Sequence, residues 1–183
     1  LIKLLYCSDR DVAANAASEI ETHASLHIFT PALIEILKDE RHPNRRIAQW
    51  CVLDLFEDLR SFCYDDEEQL AAIQAIAGLI TRATDDYARA VFKAGSVLGG
   101  HITHPAAGSA LIDCLNAPNR IGRRSAIHGL FHVVEWNPQE REKVVSELRG
   151  HAAREQDSLL KTFALRMADD IEEAKFDHIP EPL

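Results

Sequence analysis

Glycine is scarce in this chain: eight occur among 183 residues, and none follows an Asn or Asp. The strongest short signal for a β-hairpin is therefore missing. Cys7, Cys51, Cys63 and Cys114 stand far apart without a C-x-x-C pair, which argues against a zinc knuckle or a disulfide-stapled secreted domain. They read instead as buried thiols in a reducing compartment. There is no Gly-rich phosphate loop, no nucleophile elbow and no Cys/His dyad in a supporting motif. Positive charge is in the minority, with 20 Lys and Arg against 29 Asp and Glu, so the average surface repels phosphate backbones and anionic membranes. LIKLLYC is too short for a signal-peptide core with its cleavage site, and no run approaches the roughly 20 apolar residues of a membrane span. The expectation is a cytoplasmic chain that uses a protein partner and no nucleic acid, membrane or cofactor.

What the chain does have is apolar residues recurring at three and four, the helical period, with a hydrophobic share of 46% that suffices for a sizeable core. An all-α fold follows. Helix starts are marked by Thr30-Pro31, Asn44, Asp65 and Asp66 with Glu67 and Glu68, His104-Pro105 and Asn137-Pro138. Each supplies a capping side chain, a proline at the first helical position, or carboxylates beside free N–H groups. About ten helices of roughly 8 to 18 residues are predicted.

The pattern also repeats. Residues 31–56, PALIEILKDERHPNRRIAQWCVLDLF, align without a gap on 109–134, SALIDCLNAPNRIGRRSAIHGLFHVV. Within them Ala48, Val52 and Leu55 fall on Ala126, Leu130 and Val133, a small-then-large stripe at relative positions 0, +4 and +7. The same stripe is read as Ala13, Ala17, Ile20; as Ala88, Phe92, Gly95; and as Ala164, Ala168, Ile171, with anchors 35, 40, 38 and 38 residues apart. A small anchor lets helices approach closely, and stacked pairs bury a core that one pair cannot. This pattern resembles HEAT repeats of the short bacterial type. In that family an acidic turn residue lies six positions before an Arg that itself precedes the anchor by three, as with Asp39, Arg45 and Ala48, and, conservatively changed, Glu155, Lys161 and Ala164. Ala117 before Arg123, Asp85 in place of the Arg, and Leu4 before Arg10 depart from it. The resemblance implies one right-handed α-solenoid domain over 1–183, with repeats at about 1–28, 29–62, 63–102, 103–136 and 137–176 and a tail at 177–183. It implies an interaction surface rather than a reaction: a scaffold, adaptor or inhibitor. Arg45 would tie a turn to its neighbour and Arg46 would be solvated.

On each second helix, positions +2, +6 and +9 point away from the stripe and would line a concave face. They are Asn15, Glu19, Thr22; Trp50, Asp54, Glu57; Ala90, Ala94, Val97; His128, His132, Glu135; and Arg166, Asp170, Glu173. An acidic face with an apolar middle and one exposed Trp favours a basic, partly apolar protein segment, with Trp50 as hot spot. Trp50 followed four residues later by Asp54 is also similar to HEAT-like DNA alkylation-repair glycosylases, which would make Asp54 catalytic. His128, His132 and Glu135 share one helical face and are candidate metal ligands with an open position. The paired His101 and His104, and His23 and His27, read as turn and helix-end residues. The resemblance extends to the HEAT-like subunits of bilin lyases, though no residue singles that class out.

Overall fold

The computed structural model describes residues 1–63, 65–84 and 88–176. All regular structure among them is helical. The α-helices are α1 (Ile2–Leu5), α2 (Arg10–Glu21), α3 (Thr30–Lys38), α4 (Arg45–Leu55), α5 (Leu59–Phe62), α6 (Asp66–Thr81), α7 (Ala88–Ser96), α8 (Ala106–Cys114), α9 (Arg120–Trp136), α10 (Arg141–Arg154) and α11 (Ser158–Glu172). A π-helical turn, Val97–His101, continues α7. The expected tail and Asp85 lie outside the described residues.

Local chemistry sets these boundaries. Asp65 accepts from the Glu68 N–H at 2.8 Å, and Asp9, Asn119 and Asp157 cap α2, α9 and α11 in the same way. Pro31 sits in the first turn of α3, and Pro138 opens a 3-10 turn leading into α10. Asn44 does precede α4 but does not cap it. Its Nδ2 donates to the Tyr6 carbonyl at 2.9 Å, tying the helix entrance to the end of α1. At the C-terminal end of α3 the buried Gln49 donates to the carbonyls of Ile36, Leu37 and Asp39, where the helix runs out of its own N–H donors.

The helices pack in two layers. Neighbours along one side are α2, α4, α7, α9 and α11; α3, α6 and α8 succeed one another along the other, and α10 packs on α9 and α11. One connected apolar core runs between them. Ala13, Ala17, Ile20, Ala48, Val52, Leu55, Ala126, Leu130, Val133, Ala164, Ala168 and Ile171 are all buried, as their stripes predict. No described helix is long and apolar enough to cross a membrane.

The stripe expected in α7 is out of register by one residue. Ala88 and Phe92 are half-buried, while Val91 and Ala94 are fully enclosed. Val91 and Ala94 take the +4 and +7 places expected of Phe92 and Gly95, which turns Arg89, Lys93 and Ser96 outward. Ala90, Ala94 and Val97, expected on the open face, are therefore core residues. The physical reason is that α7 touches α4, α6 and α9, so most of its circumference is covered. Its glycines allow the closest contact: a Cβ on Gly95 would strike the Ser125 backbone, and one on Gly99 the carbonyl of Gly129.

Candidate functional site

The open face is best formed at α4. Trp50 is 39% exposed although the rest of its helix is largely buried, and Asp54 and Glu57 are exposed one and two turns on. All three meet Lys93 of α7. Its Nζ pairs with Asp54, lies 3.2 Å from Glu57 Oε1 and sits 4.8 Å from the Trp50 ring centroid. An ammonium over an indole face with two carboxylates beside it restrains the ring and cancels much of the local negative charge. Sequence reasoning missed Lys93 because the one-residue slip moved it off the open face; in the corrected frame it occupies +6, the position of Asp54.

Beside Trp50 lies an open groove of about 700 Å³ between α2, α4 and α7, lined in part by Arg10, Asp11, Arg46, Asp54 and Arg89. Arg46 is thus half-buried at the groove rather than solvated. Arg45 donates to the His42 carbonyl at 3.2 Å, within its own turn. The link between successive turns is made instead by Arg123, whose Nε and Nη2 reach Glu155 Oε2 and Oε1 at 2.7 and 3.3 Å. Asp39 accepts from the Tyr6 hydroxyl at 2.9 Å and from the N–H groups of Arg41 and His42. Burial opposes its ionisation, but these donors outweigh burial and hold the carboxyl below its usual range.

The second cluster lies on α9. His128 is only 2% exposed, contrary to its expected place on the open face, because Phe92 of α7 stacks on it at 4.2 Å with the rings 21° apart. Its Nε2 is 3.1 Å from His132 Nε2, and His132 Nδ1 is 2.7 Å from Glu135 Oε2. Burial, then the neighbouring His132 and Arg124, push His128 down to about 3, so the ring is neutral in ordinary buffers. Glu135 is turned toward the far nitrogen of His132 and not toward the space between the two imidazoles. Among the described residues no group of three or more His, Cys, Asp or Glu converges on a metal position.

No protein-family model and no curated protein matches this sequence.

Arg166 and Asp170 of α11 form an i, i+4 pair at 3.8 Å, remote in the chain from Trp50. Asn15, Glu19, Thr22 and Glu173 are exposed as expected. The face is therefore acidic at its ends but interrupted by the cationic Arg89 and Lys93, where an apolar middle was expected. Trp136, 69% exposed at the end of α9, is a second surface indole that the positional frame did not select. His104 accepts the Ala106 N–H on Nδ1 at 3.1 Å, and His23 accepts that of Ser25 at the same distance, so both serve chain turns. Cys51, Cys63 and Cys114 are buried free thiols and Cys7 is half-buried. Burial, with Glu68 and Asp65 nearby, pushes Cys63 up to about 12, which makes it a poor nucleophile.

Proposed function

We propose that the chain is a right-handed α-solenoid of about five HEAT-like helical pairs, acting as a protein-interaction scaffold, adaptor or inhibitor that docks a partner segment at Trp50. The observation that carries this reading is a half-exposed indole held in place at the edge of an open groove. An aromatic restrained before binding loses little conformational freedom when a partner covers it. The succession of α2, α4, α7, α9 and α11 on one side, with buried small residues at their contacts, supports the repeat reading.

Charge turns the partner's chemistry from basic, as the composition suggests, to acidic. Asp54 and Glu57 already have Lys93 between them, and Arg10 and Arg89 line the groove next to the indole, with Asp11 as a further carboxylate there. A segment presenting an apolar side chain to Trp50 and carboxylates to the guanidinium groups fits best.

The same arginines are the one observation that favours the glycosylase reading, since phosphate contacts supply most of the affinity for DNA. Against it stands Asp54, which is engaged by Lys93 and would have to be released before it could act on a sugar. Capture from lysate on immobilised chain tests both. Trp50→Ala and Arg89→Glu should each abolish retention of the principal partner. If every captured protein is retained by both variants, the docking reading is wrong; a low-salt shift of duplex DNA that depends on Trp50 would put the glycosylase in its place.

A further inference from the structure

The α9 histidines make a site independent of the Trp50 groove. His128 and His132 stand one helical turn apart, and their Nε2 atoms face each other at 3.1 Å. A carboxylate accepts and does not donate, so the 2.7 Å contact from His132 Nδ1 to Glu135 Oε2 places a proton on Nδ1, and in the neutral ring the lone pair is then on His132 Nε2. Of the two facing nitrogens only that of His128 then carries hydrogen. That proton has somewhere to go: Nδ1 of His128 is buried and has no hydrogen-bond partner among the described residues. When it moves to Nδ1, both Nε2 lone pairs are turned to the gap between the rings.

We propose that this gap binds one divalent transition-metal ion of the imidazole-preferring class, with His128 Nε2 and His132 Nε2 as the protein ligands, solvent in the remaining positions and Glu135 as the outer carboxylate that orients His132. Two imidazole nitrogens bound to one ion at about 2.0–2.1 Å and at a tetrahedral angle lie about 3.3–3.4 Å apart. The observed 3.1 Å therefore needs to widen by only about 0.2–0.3 Å to reach that geometry. Both rings are already held. His128 is stacked on Phe92, and His132 lies edge-on to Phe131 with ring centroids 5.6 Å apart.

The donor set decides the metal class. Two neutral nitrogens suit Ni²⁺, Cu²⁺ or Zn²⁺ and give no advantage to Mg²⁺ or Ca²⁺, which require oxygen ligands. Glu135 supplies negative charge behind His132, and its hydrogen bond raises the basicity of the opposite nitrogen. Arg124, whose guanidinium carbon lies 4.7 Å from the Phe92 ring centroid, is the nearby cation that weakens the site. His132 and Glu135 are half-buried, so solvent reaches the rim. Binding moves one proton between the two nitrogens of His128 and changes no oxidation state.

Trp136 is the reporter, one turn after His132: a Cβ on Gly100 would lie 3.7 Å from both His132 Cβ and Trp136 Nε1. The tag-free chain carrying Trp50→Phe has Trp136 as its single indole and is titrated with Ni²⁺ and with Cu²⁺, following fluorescence, and with Zn²⁺ by calorimetry. Saturable quenching and a heat at one ion per chain are expected. His132→Ala, a rim substitution checked for folding by circular dichroism, should remove both. Glu135→Gln should weaken binding by roughly 10–100-fold. His101→Ala with His104→Ala should leave it unchanged, and Mg²⁺ should give no signal. Absence of saturable binding by all three metals, or full binding retained in His132→Ala, overturns the site; unchanged affinity in Glu135→Gln removes the orienting role given to that carboxylate.

Discussion

The Lys93 ammonium lies 4.8 Å from the centroid of the Trp50 ring while also engaging Asp54 and Glu57, so one cation from α7 organises three side chains of the α4 region. Lys93→Met keeps the apolar stem and removes the charge. Because Asp54 and Glu57 are nearly half exposed, the stability lost should stay below about 1 kcal/mol in a urea titration. Binding should change far more. Two uncompensated carboxylates beside Trp50 should turn capture away from acidic segments and toward basic ones, read by retention of paired peptides of opposite charge. Retention identical to that of the unsubstituted chain would show that Lys93 does not set the groove's preference.

Glycine spacing gives a prediction with two signs. Gly99→Ala and Gly129→Ala each drive a methyl group into a backbone carbonyl, of Gly129 and of Gly95 respectively, which has no flexible end to move away. Each should cost about 1–3 kcal/mol or more, as overpacking does. Gly150→Ala in α10 is the contrast: its methyl would meet only the end of Arg154 at 3.5 Å, and relief of glycine's backbone entropy should stabilise the chain by about 0.4–1 kcal/mol. Urea midpoints for the three variants, measured side by side, check the order.

Arg123 and Glu155 form an enclosed ion pair, the Glu155 side chain being 4% exposed. Burial raises the Glu155 pKa, but the Arg123 fork and the Asp157 N–H outweigh it and the net shift is downward from 4.5. The folded state thus holds its proton less tightly than the unfolded state. The corresponding stability is fully present above about pH 4.5 and is lost as pH falls below it. Arg123→Ala leaves a buried carboxylate with the Asp157 N–H and the neighbouring His151 but no guanidinium, and should cost about 3 kcal/mol at neutral pH, with a shallower acid dependence than the parent. Denaturant melts at pH 7 and pH 4 measure both.

His128 acts in a higher window. Its folded pKa is about 3 against an ordinary 6.5, so between these values the unfolded state binds the proton and the folded state does not. For the metal-free chain, stability is constant in this respect above pH 6.5 and falls as pH drops toward 3, with a limiting slope of about 1.4 kcal/mol per pH unit. His128→Phe should flatten that segment of the stability profile, and an unchanged slope would assign the loss to other groups.

The helices and four of the five core stripes were legible because small and large apolar residues recur there at unambiguous spacing. In ARAVFKAG, Phe92 with Gly95 and Val91 with Ala94 both fit the +4 and +7 places of a stripe, and nothing local distinguishes them. The choice is made by contact of α7 with α9 and α4, which is information held in three separated segments. The slip then propagated into the site. It concealed Lys93, assigned Phe92 to the core instead of to the cover over His128, and made three buried residues look open. The imidazole pair was visible as a spacing, but the direction in which Glu135 turns was not.

Backbone meets backbone where Gly95 and Gly99 approach α9, and the one side chain at the Gly95 contact, Ser125, is held to the Val91 carbonyl, so little there can change rotamer to let the two helices slide. Mechanically this contact is a weld. The Trp50–Lys93 groove on one flank of α7 and the His128–His132 gap on the other are carried by the same stiff block, and bending of the chain must be taken up at other helix boundaries. A load applied at one site would reach the other as a displacement of the whole block rather than through compliance at the seam.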